Sequence, residues 1–290
     1  MDLAVRFQGG LAVKTIRVFP RKTNATPNDK NVRIGDPGLF DQADEVLISC
    51  TFTWDKPEAE RLAKAWEWVA PTKLGGPAYG DCSGEFEPGK FLKVGSVITS
   101  RGCPNKCWFC YVWKRTGNLE ELEINNGWNL MDDNILACSE SHIKKVFEMF
   151  ARQNHPISIT GGLEAKLLRE WHIDLLLSIP LKYIYFAYDT EDDYEPLIKA
   201  QNLLVKSGLI KPTRHTIGCY CLIGYPNDTF EKAERRLSNT LKLGFTPYAM
   251  LYRDDKGKVN QEWRRFQRKW VRPAIIYGSK ANKTKGGDVM

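Results

Sequence analysis

Three cysteines lie close together in one short segment of the chain, at Cys103, Cys107 and Cys110. The segment reads TSRGCPNKCWFCY from residue 99 to residue 111, and its glycine and proline predict a loop. The opening residues, MDLAVRFQGGLAVKT, lack the basic start and apolar stretch of a secretory signal. We therefore expect a cytoplasmic protein in which clustered thiols serve a metal or redox site rather than disulfides.

The number of clustered thiols favours an iron–sulfur cluster over a closed zinc site. Structural zinc takes four protein ligands, whereas this loop supplies three. A [4Fe–4S] cluster held by three cysteines leaves one iron open to an exogenous ligand. Zinc with a fourth ligand from elsewhere in the chain, such as His142 or Cys138, is the alternative.

The spacing Cys103-x3-Cys107-x2-Cys110, with Phe109 just before the third cysteine, resembles the signature of the radical S-adenosylmethionine (radical SAM) enzymes. The TSRGCP lead-in is similar to the branch with an N-terminal cobalamin-binding-like or methylthiotransferase-like domain. The resemblance implies a [4Fe–4S] cluster bound by the three cysteines and S-adenosylmethionine bound at the open iron. It also implies an oxygen-sensitive enzyme that receives electrons from a donor such as flavodoxin or ferredoxin. Reductive cleavage would give a 5′-deoxyadenosyl radical that abstracts hydrogen from an unknown substrate, so the catalytic residues toward that substrate stay unassigned.

The resemblance assigns cofactor contacts to residues outside the cysteine loop. Phe109 would lie near the adenine, with loop packing as the alternative. Gly161 and Gly162 resemble the glycine-rich strand end beside the methionine amino group, where glycine allows close backbone approach. The family's acid directly after the glycines is replaced by Leu163, and Glu164 follows one place later. A register shift that turns the Glu164 carboxylate away from the cofactor is the competing interpretation.

Two further segments carry predicted contacts to the nucleoside. Asp189 is a candidate for the ribose hydroxyls, since a carboxylate accepts hydrogen bonds from both, and a helix N-cap is its alternative role. Leu222 and Gly224, in the run CLIGYP, resemble the fifth-strand motif that contacts adenine. Residues 132–134, Asp-Asp-Asn, are expected either to face the substrate space or to cap the following turn.

Strand and helix patterns alternate through the part of the chain that contains these motifs. Polar or glycine motifs recur at predicted strand ends, as they do in enzymes built on a TIM-like barrel. This pattern predicts an α/β fold with parallel βα units, and the family resemblance sharpens it to a partial (β/α)6 TIM-like barrel. The predicted strands are 94–99, 127–131, 157–160, 183–188, 217–223 and 248–252; Ser139 and Thr229 are predicted helix N-caps, and Gly208 and Gly244 predicted helix ends.

Residues 1–90 form a separate predicted domain before the barrel core at 91–253. Strands at 13–19 and 46–52 and a helix at 56–69 predict a small α/β domain, which resembles a degenerate, Rossmann-like form of the cobalamin-binding fold. The first histidine of the chain is His142, so a cobalt-ligating histidine is absent from this domain and cobalamin is not expected. Its two cysteines, Cys50 and Cys82, are one fewer than methylthiotransferase relatives use.

The remaining cysteines are dispersed and are expected mostly to pack as small buried hydrophobes. Cys219 and Cys221 lie two apart on a predicted strand and therefore on one face. An auxiliary cluster that joins them to Cys138 is the alternative.

The net charge of +7 belongs to the C-terminal part of the chain. Residues 253–290 hold 11 Lys and Arg against 4 Asp and Glu, so the preceding part is neutral. Trp263, Phe266 and Trp270 follow a helical period within 261–272, which predicts a basic helix docked by its aromatic side chains, followed by a tail. The basic residues form either a solvated helix face or a phosphate-binding surface over 261–285 for a nucleic acid or an anionic substrate.

Composition excludes several classes of protein. Hydrophobic residues make up 42% and charged residues 27%, which is ordinary globular composition, and no apolar run is long enough to span a membrane. The leading hypothesis is a radical SAM enzyme with a basic C-terminal segment at 254–290. One alternative is a non-catalytic iron–sulfur or zinc protein that binds nucleic acid through this segment. The other is a radical SAM enzyme that modifies RNA or a nucleotide.

Overall fold

The computed structural model describes residues 13–81, 85–211, 215–254, 256–271 and 276. The chain divides into two compact units, Met1–Ser83 and Gly84–Met290. Both are mixed α/β units built on parallel sheets. No helix in the described ranges is long and apolar enough to cross a membrane.

The first unit contains a four-stranded parallel sheet with the order β2-β1-β3-β4. Isoleucine and valine side chains from β1 and β3 pack with Leu62 and Trp66 of the helix in one buried core. The structure confirms the two predicted strands and the predicted helix, and adds two strands that the sequence analysis missed. The elements are β1 (Thr15–Phe19), β2 (Val32–Ile34), β3 (Glu45–Ser49), α1 (Lys56–Trp66) and β4 (Thr72–Gly75).

The second unit is built on a six-stranded parallel sheet with the order β12-β11-β10-β9-β8-β5. Each of these strands therefore lies beside the next one in the chain, as expected for successive βα units. A short antiparallel pair, β6 with β7, stands apart from this sheet. The strands are β5 (Ser96–Val97), β6 (Ser100–Arg101), β7 (Glu120–Glu121), β8 (Asn129–Leu130), β9 (Ile157–Leu163), β10 (Leu181–Ala187), β11 (Ile217–Ile223) and β12 (Thr246–Leu251).

Helices follow most of these strands, and the apolar faces of all but the shortest helix join the same core. The helices are α2 (Val112–Arg115), α3 (Glu140–Ala151), α4 (Glu170–Leu177), α5 (Tyr194–Lys206), α6 (Phe230–Lys242) and α7 (Gln261–Arg268). Alternate residues of the strands, such as Ile159, Ile184 and Cys219, are buried in the core with the helices. The intervening residues of β10–β12 face away from it, and they include the partly exposed Tyr183, Tyr248 and Met250.

The predicted helix boundaries are confirmed where caps define them. The Ser139 side chain accepts a hydrogen bond from the His142 N–H, and the Thr229 side chain accepts one from Lys232. Both serine and threonine are favoured at this position because their oxygen satisfies an unpaired N–H of the first turn. Gly208 follows α5 with φ of 74°, a conformation that glycine adopts without a Cβ penalty.

Several predicted boundaries are wrong. The strands predicted at 94–99 and 127–131 are limited to β5 (Ser96–Val97) and β8 (Asn129–Leu130). Gly161 and Gly162 lie inside β9 rather than after it, because the strand continues through them to Leu163. The predicted basic helix over 261–272 ends at Arg268, where Lys269 is its C-cap.

Candidate functional site

The cysteine loop connects β6 to α2. Cys103, Cys107 and Cys110 are free thiols and are all partly exposed. Burial raises the pKa of Cys107, and the neighbouring Cys110 and Cys103 raise it further. Burial also raises the pKa of Cys110, with a smaller contribution from Cys103. Cys103 therefore lies close enough to both Cys107 and Cys110 to act on them electrostatically.

A buried carboxylate fixes the segment that leads into the loop. Asp132 follows β8, and its Oδ1 accepts the Thr99 N–H at 2.6 Å. Its Oδ2 accepts both the Thr99 and the Ser100 hydroxyls at 2.7 Å. Burial raises the pKa of Asp132, although these hydrogen bonds act in the opposite direction. Asp132 therefore holds β6 and the start of the loop against the end of β8.

Asp133 binds the next part of the loop. It accepts the Gly102 N–H at 2.9 Å and forms an ion pair with Arg115 of α2 at 3.0 Å. Gly102 has φ of 82°, and a Cβ there would lie 2.2 Å from the Asn118 carbonyl oxygen. This position therefore needs glycine. Both ends of the cysteine loop are tied to the same carboxylate.

Asn134 links the loop to Glu164. Its side-chain NH2 group donates to the Cys103 sulfur at 3.4 Å and to Glu164 Oε2 at 2.7 Å. The predicted capping role for Asn134 is wrong, because its side chain makes no capping hydrogen bond to the short turn that follows. Asp132, Asp133 and Asn134 instead contact the cysteine loop or the segment that enters it.

Glu164 lies beside the cysteine loop. Besides Asn134, Asn105 of the loop donates to Glu164 Oε2 at 2.8 Å, and Lys166 forms an ion pair with Oε1 at 2.5 Å. The Glu164 side chain is 16% exposed, whereas Leu163 is buried in the core. The register shift therefore leaves the Glu164 carboxylate facing the cysteine loop.

The two glycines of β9 play different structural roles. A Cβ on Gly161 would lie 1.8 Å from the Asp132 carbonyl oxygen, so glycine is needed for β9 to approach the end of β8. Gly162 has φ of 94°, and a Cβ there would make only an ordinary contact with Tyr220, at 4.0 Å. The pairing of β9 with β10 is irregular here: Ile159 pairs with Ile184, and Leu163 pairs with Phe186. Three residues of β9 thus lie opposite the single residue Tyr185.

Aromatic contacts join the loop to the ends of β11 and β12. Trp108 meets the Phe109 ring edge-on at 5.3 Å and the Tyr225 ring at 5.5 Å. Its centroid is 6.0 Å from that of Tyr252. Phe109 is partly buried within this aromatic group. The cysteine loop therefore reaches across the carboxyl ends of the parallel strands.

Asp189 lies at the end of β10, and its side chain contacts the neighbouring strand. Its Oδ1 accepts the Leu222 N–H at 2.9 Å. Asp193, rather than Asp189, accepts the N–H groups of Asp189 and Thr190 at the following turn. The alternative of an N-cap at Asp189 is therefore wrong. Burial raises the pKa of Asp189 to about 7, the Leu222 hydrogen bond lowers it, and the nearby Asp193 raises it.

A buried ion pair supports the Leu222–Gly224 segment. Asp228 and Arg236 lie 2.9 Å apart with side chains 0% and 1% exposed. Asp228 also accepts the Gly224 N–H at 2.8 Å, and Arg236 donates to the Leu222 carbonyl at 2.9 Å. Gly224 has φ of 71°, and a Cβ there would lie 2.9 Å from Trp263 of α7. Helix α7 therefore packs directly against this part of the site.

The other described cysteines lie outside the loop. Cys219 and Cys221 are fully buried on the same face of β11, as predicted, and Cys221 contacts the Thr240 hydroxyl at 3.3 Å. Cys138 is buried, as is His142, whose Nδ1 is 3.7 Å from Glu121. Cys82 lies outside the described residues. In the part of the chain that the structure describes, no three His, Cys, Asp or Glu side chains converge on the position of a single metal ion.

Comparison with known proteins adds no family assignment, because neither a protein-family model nor a curated protein matches this sequence.

Several residues around the site were not found by the sequence analysis. Asn105, Lys166 and Trp108 contact residues that are far away in the chain. Arg236 pairs with the nearby Asp228, and the charge of Asp193 raises the pKa of Cys107. Asn105 and Trp108 stand inside the cysteine loop, which is a signal that they could contribute to its surroundings. Lys166 and Arg236 lie on ordinary polar helix or turn patterns and carry no such signal.

Proposed function

We propose that the chain is a radical SAM enzyme whose cofactors bind where the cysteine loop meets the carboxyl ends of β9–β11. The observation that carries the proposal is the position of Glu164, whose carboxylate is bonded to Asn105 of the loop and, through Asn134, joined to Cys103. Cys103 and Glu164, which belong to two motifs similar to those of one family, are thereby brought together beside the cysteine loop.

The donor set fits an iron–sulfur cluster. Cys103, Cys107 and Cys110 are free and partly exposed, Cys110 and Cys103 both raise the pKa of Cys107, and thiolates are the usual ligands of such clusters. These three residues would hold the cluster. With S-adenosylmethionine bound, the two cofactors would supply reductive cleavage of its S–C5′ bond, with the electron coming from a donor such as flavodoxin or ferredoxin.

The chain's own residues would bind and orient the methionine and nucleoside groups. A carboxylate has about four acceptor sites, and three on Glu164 are occupied, which leaves one for an ammonium group. Gly161 and Gly162 have no side chains to cover the backbone beside Glu164. Asp189, with one oxygen on Leu222 N–H, offers its other oxygen to ribose hydroxyls. Leu222 and Gly224 are held in place by the buried pair beneath them, and Phe109 would flank the adenine.

We also propose that the second unit is a partial (β/α)6 TIM-like barrel and that the first unit is a small Rossmann-like domain. Six parallel strands in consecutive order support a partial (β/α)6 barrel, and the order β2-β1-β3-β4 of the first unit supports a small Rossmann-like domain.

The test is anaerobic reconstitution with iron and sulfide. We expect about four irons per chain and formation of 5′-deoxyadenosine from S-adenosylmethionine under a strong reductant. The triple variant Cys103→Ala, Cys107→Ala, Cys110→Ala should lose the iron. The double variant Cys50→Ala, Cys138→Ala, which removes thiols outside the loop, should keep it. One zinc per chain would favour the zinc alternative, and a loaded chain that cleaves no S-adenosylmethionine would refute the catalytic proposal.

A nucleotide or RNA substrate is a second candidate. It is favoured by the open face of the second unit's sheet, which is the face that points away from the buried core. Tyr185 and Tyr220 stack at 4.6 Å, and Tyr248 meets Tyr220 edge-on at 5.8 Å. Open-face positions of β9–β12 carry no charged side chain. Aromatic surfaces of this kind stack on bases.

The basic helix α7 lies alongside the strand that carries Tyr248. Gln267 donates to the Ala249 carbonyl of β12 at 2.9 Å. Arg264, Arg265 and Arg268 are exposed and form no ion pair within the described residues. Such arginines are suited to phosphate groups.

The experiment neutralises the arginines and keeps the aromatic side chains that pack α7. In the triple Arg264→Gln, Arg265→Gln, Arg268→Gln variant, we expect the salt dependence of single-stranded RNA binding to fall by about 2 in log–log slope, at roughly 0.7 per lost contact. The matched control is Lys145→Gln, Lys206→Gln, Lys242→Gln, which removes three exposed charges elsewhere. If both triple variants lowered the salt dependence equally, RNA binding would depend only on the net charge, and a site on α7 would be refuted.

A further inference from the structure

Asn134 is a buried amide whose hydrogen bonds are concentrated on one side. The residue is 3% exposed, and its Nδ2 lies within hydrogen-bond distance of both the Cys103 sulfur and Glu164 Oε2. Its Oδ1 is buried without a hydrogen-bond partner among the described residues. Both neighbours of Nδ2 are acceptors, so the NH2 group must point toward them, because the flipped amide would direct its oxygen at a carboxylate.

The two N–H groups of this amide serve two different acceptors. One N–H is available for the Cys103 sulfur and the other for the Glu164 carboxylate. Leaving Oδ1 unpartnered in the interior carries a desolvation cost. That cost is offset by two hydrogen bonds to acceptors that are charged when Cys103 is a thiolate and Glu164 is ionised.

We propose that Asn134 is a positioning residue that raises the reduction potential of a cluster bound through Cys103, by donating a hydrogen bond to the ligand sulfur. The inference rests on the proposed function, since it requires the cluster. Reduction adds negative charge that is shared with the ligand sulfurs, so a donor at the sulfur stabilises the reduced form more than the oxidised form. The same amide keeps Cys103 at a fixed position relative to Glu164.

A matched pair of variants separates the sulfur contact from the glutamate contact. Asn134→Leu removes both hydrogen bonds at nearly constant size. Asn105→Ala removes a donor to the same Glu164 oxygen and leaves the Cys103 contact in place. Each protein is reconstituted anaerobically, and the cluster is titrated by electron paramagnetic resonance at defined potentials, without S-adenosylmethionine.

We expect the ratio of reduced to oxidised cluster at a fixed potential to fall three- to tenfold in Asn134→Leu, and to stay unchanged in Asn105→Ala. A tenfold change corresponds to 59 mV for a one-electron couple. Equal potentials in the two variants would overturn the inference. A wild-type chain that binds no reducible cluster would instead refute the proposed function.

A second comparison covers the outcome in which Asn134→Leu does not hold the cluster. Asn134→Ser keeps an O–H donor and Asn134→Ala has none, so the serine variant should have the higher potential. Equal potentials in this pair would overturn the proposal. Loss of the cluster from all three variants would assign Asn134 a purely structural role and would also overturn it.

Discussion

The buried pair Asp228–Arg236 offers the sharpest test of how the site is supported. Neither side chain is more than 1% exposed, and their charged atoms are 2.9 Å apart. Arg236 Nε and Nη1 and Asp228 Oδ1 have no hydrogen-bond partner among the described residues. The guanidinium therefore depends on Asp228, the Leu222 carbonyl and the Tyr225 ring, whose centroid is 5.2 Å away.

Replacing Asp228 with Asn keeps the size of the side chain and an acceptor for the Gly224 N–H, but removes the negative charge. The Arg236 charge then remains buried without compensation, and breaking such a pair typically costs about 3–5 kcal/mol. Because the Leu222 carbonyl and the Tyr225 ring stay in place, we expect a loss near the lower value, about 3 kcal/mol. Adding Arg236→Met removes the uncompensated charge, so the double variant should recover to within about 1 kcal/mol of wild type.

The assay is urea unfolding at pH 7, followed by far-ultraviolet circular dichroism with the same linear extrapolation for all three proteins. A loss below about 1 kcal/mol in Asp228→Asn would refute the reasoning. So would a double variant that is less stable than the single variant, since the cost would then arise from packing rather than from the unpaired charge.

Three further predictions follow from individual residues. Gly161→Ala should reduce the amount of iron that the reconstituted protein retains, because the new Cβ would displace the Asp132 backbone. Gly162→Ala should retain iron and cost only about 1–2 kcal/mol of backbone strain. Equal iron contents in the two variants would contradict this prediction. Burial raises the pKa of Asp189 from 3.8 to about 7, so the folded state holds a proton that the unfolded state releases, and the free energy of unfolding should fall by up to about 4 kcal/mol as the pH rises from 4 to 7. In Asp189→Asn, the free energy of unfolding measured in urea should depend less on pH across this range. Parallel pH profiles for the two proteins would contradict the shift. Ser139→Ala should lower the free energy of unfolding by about 1 kcal/mol, measured by urea titration, and an unchanged value would show that this cap contributes little.

The alternation of apolar strands and capped helices was sufficient to predict the parallel α/β organisation of the second unit. The range 217–223 was predicted without error because its apolar run is bounded by polar residues and Gly224. Strands β2 and β4 were missed because they are only three and four residues long and contain Arg33, Lys73 and Gly75. Such short strands are defined by pairing with β1 and β3 rather than by their own pattern.

The sequence also identified the cysteine loop, the two glycines and Glu164, but not how they are joined. Whether Glu164 faces the loop depends on strand pairing, which a motif does not contain. The contacts from Asn105 and Asn134 to Glu164 span 59 and 30 residues, and they depend on the order of β8 and β9 in the sheet. Asn134 follows two aspartates, and nothing in the sequence distinguishes its role from theirs.

The irregular pairing of β9 has a consequence for changes in chain length. Ile159 and Leu163 both face the core. Three residues of β9 lie between them, and a single residue of β10 lies opposite those three. Because side chains alternate along a strand, the loss of two residues from this segment would leave Glu164 on the same side of the sheet. The loss of one residue would turn the Leu163 side chain toward the cysteine loop and the Glu164 carboxylate toward the core. This segment should therefore accept insertions and deletions of two residues more readily than those of one.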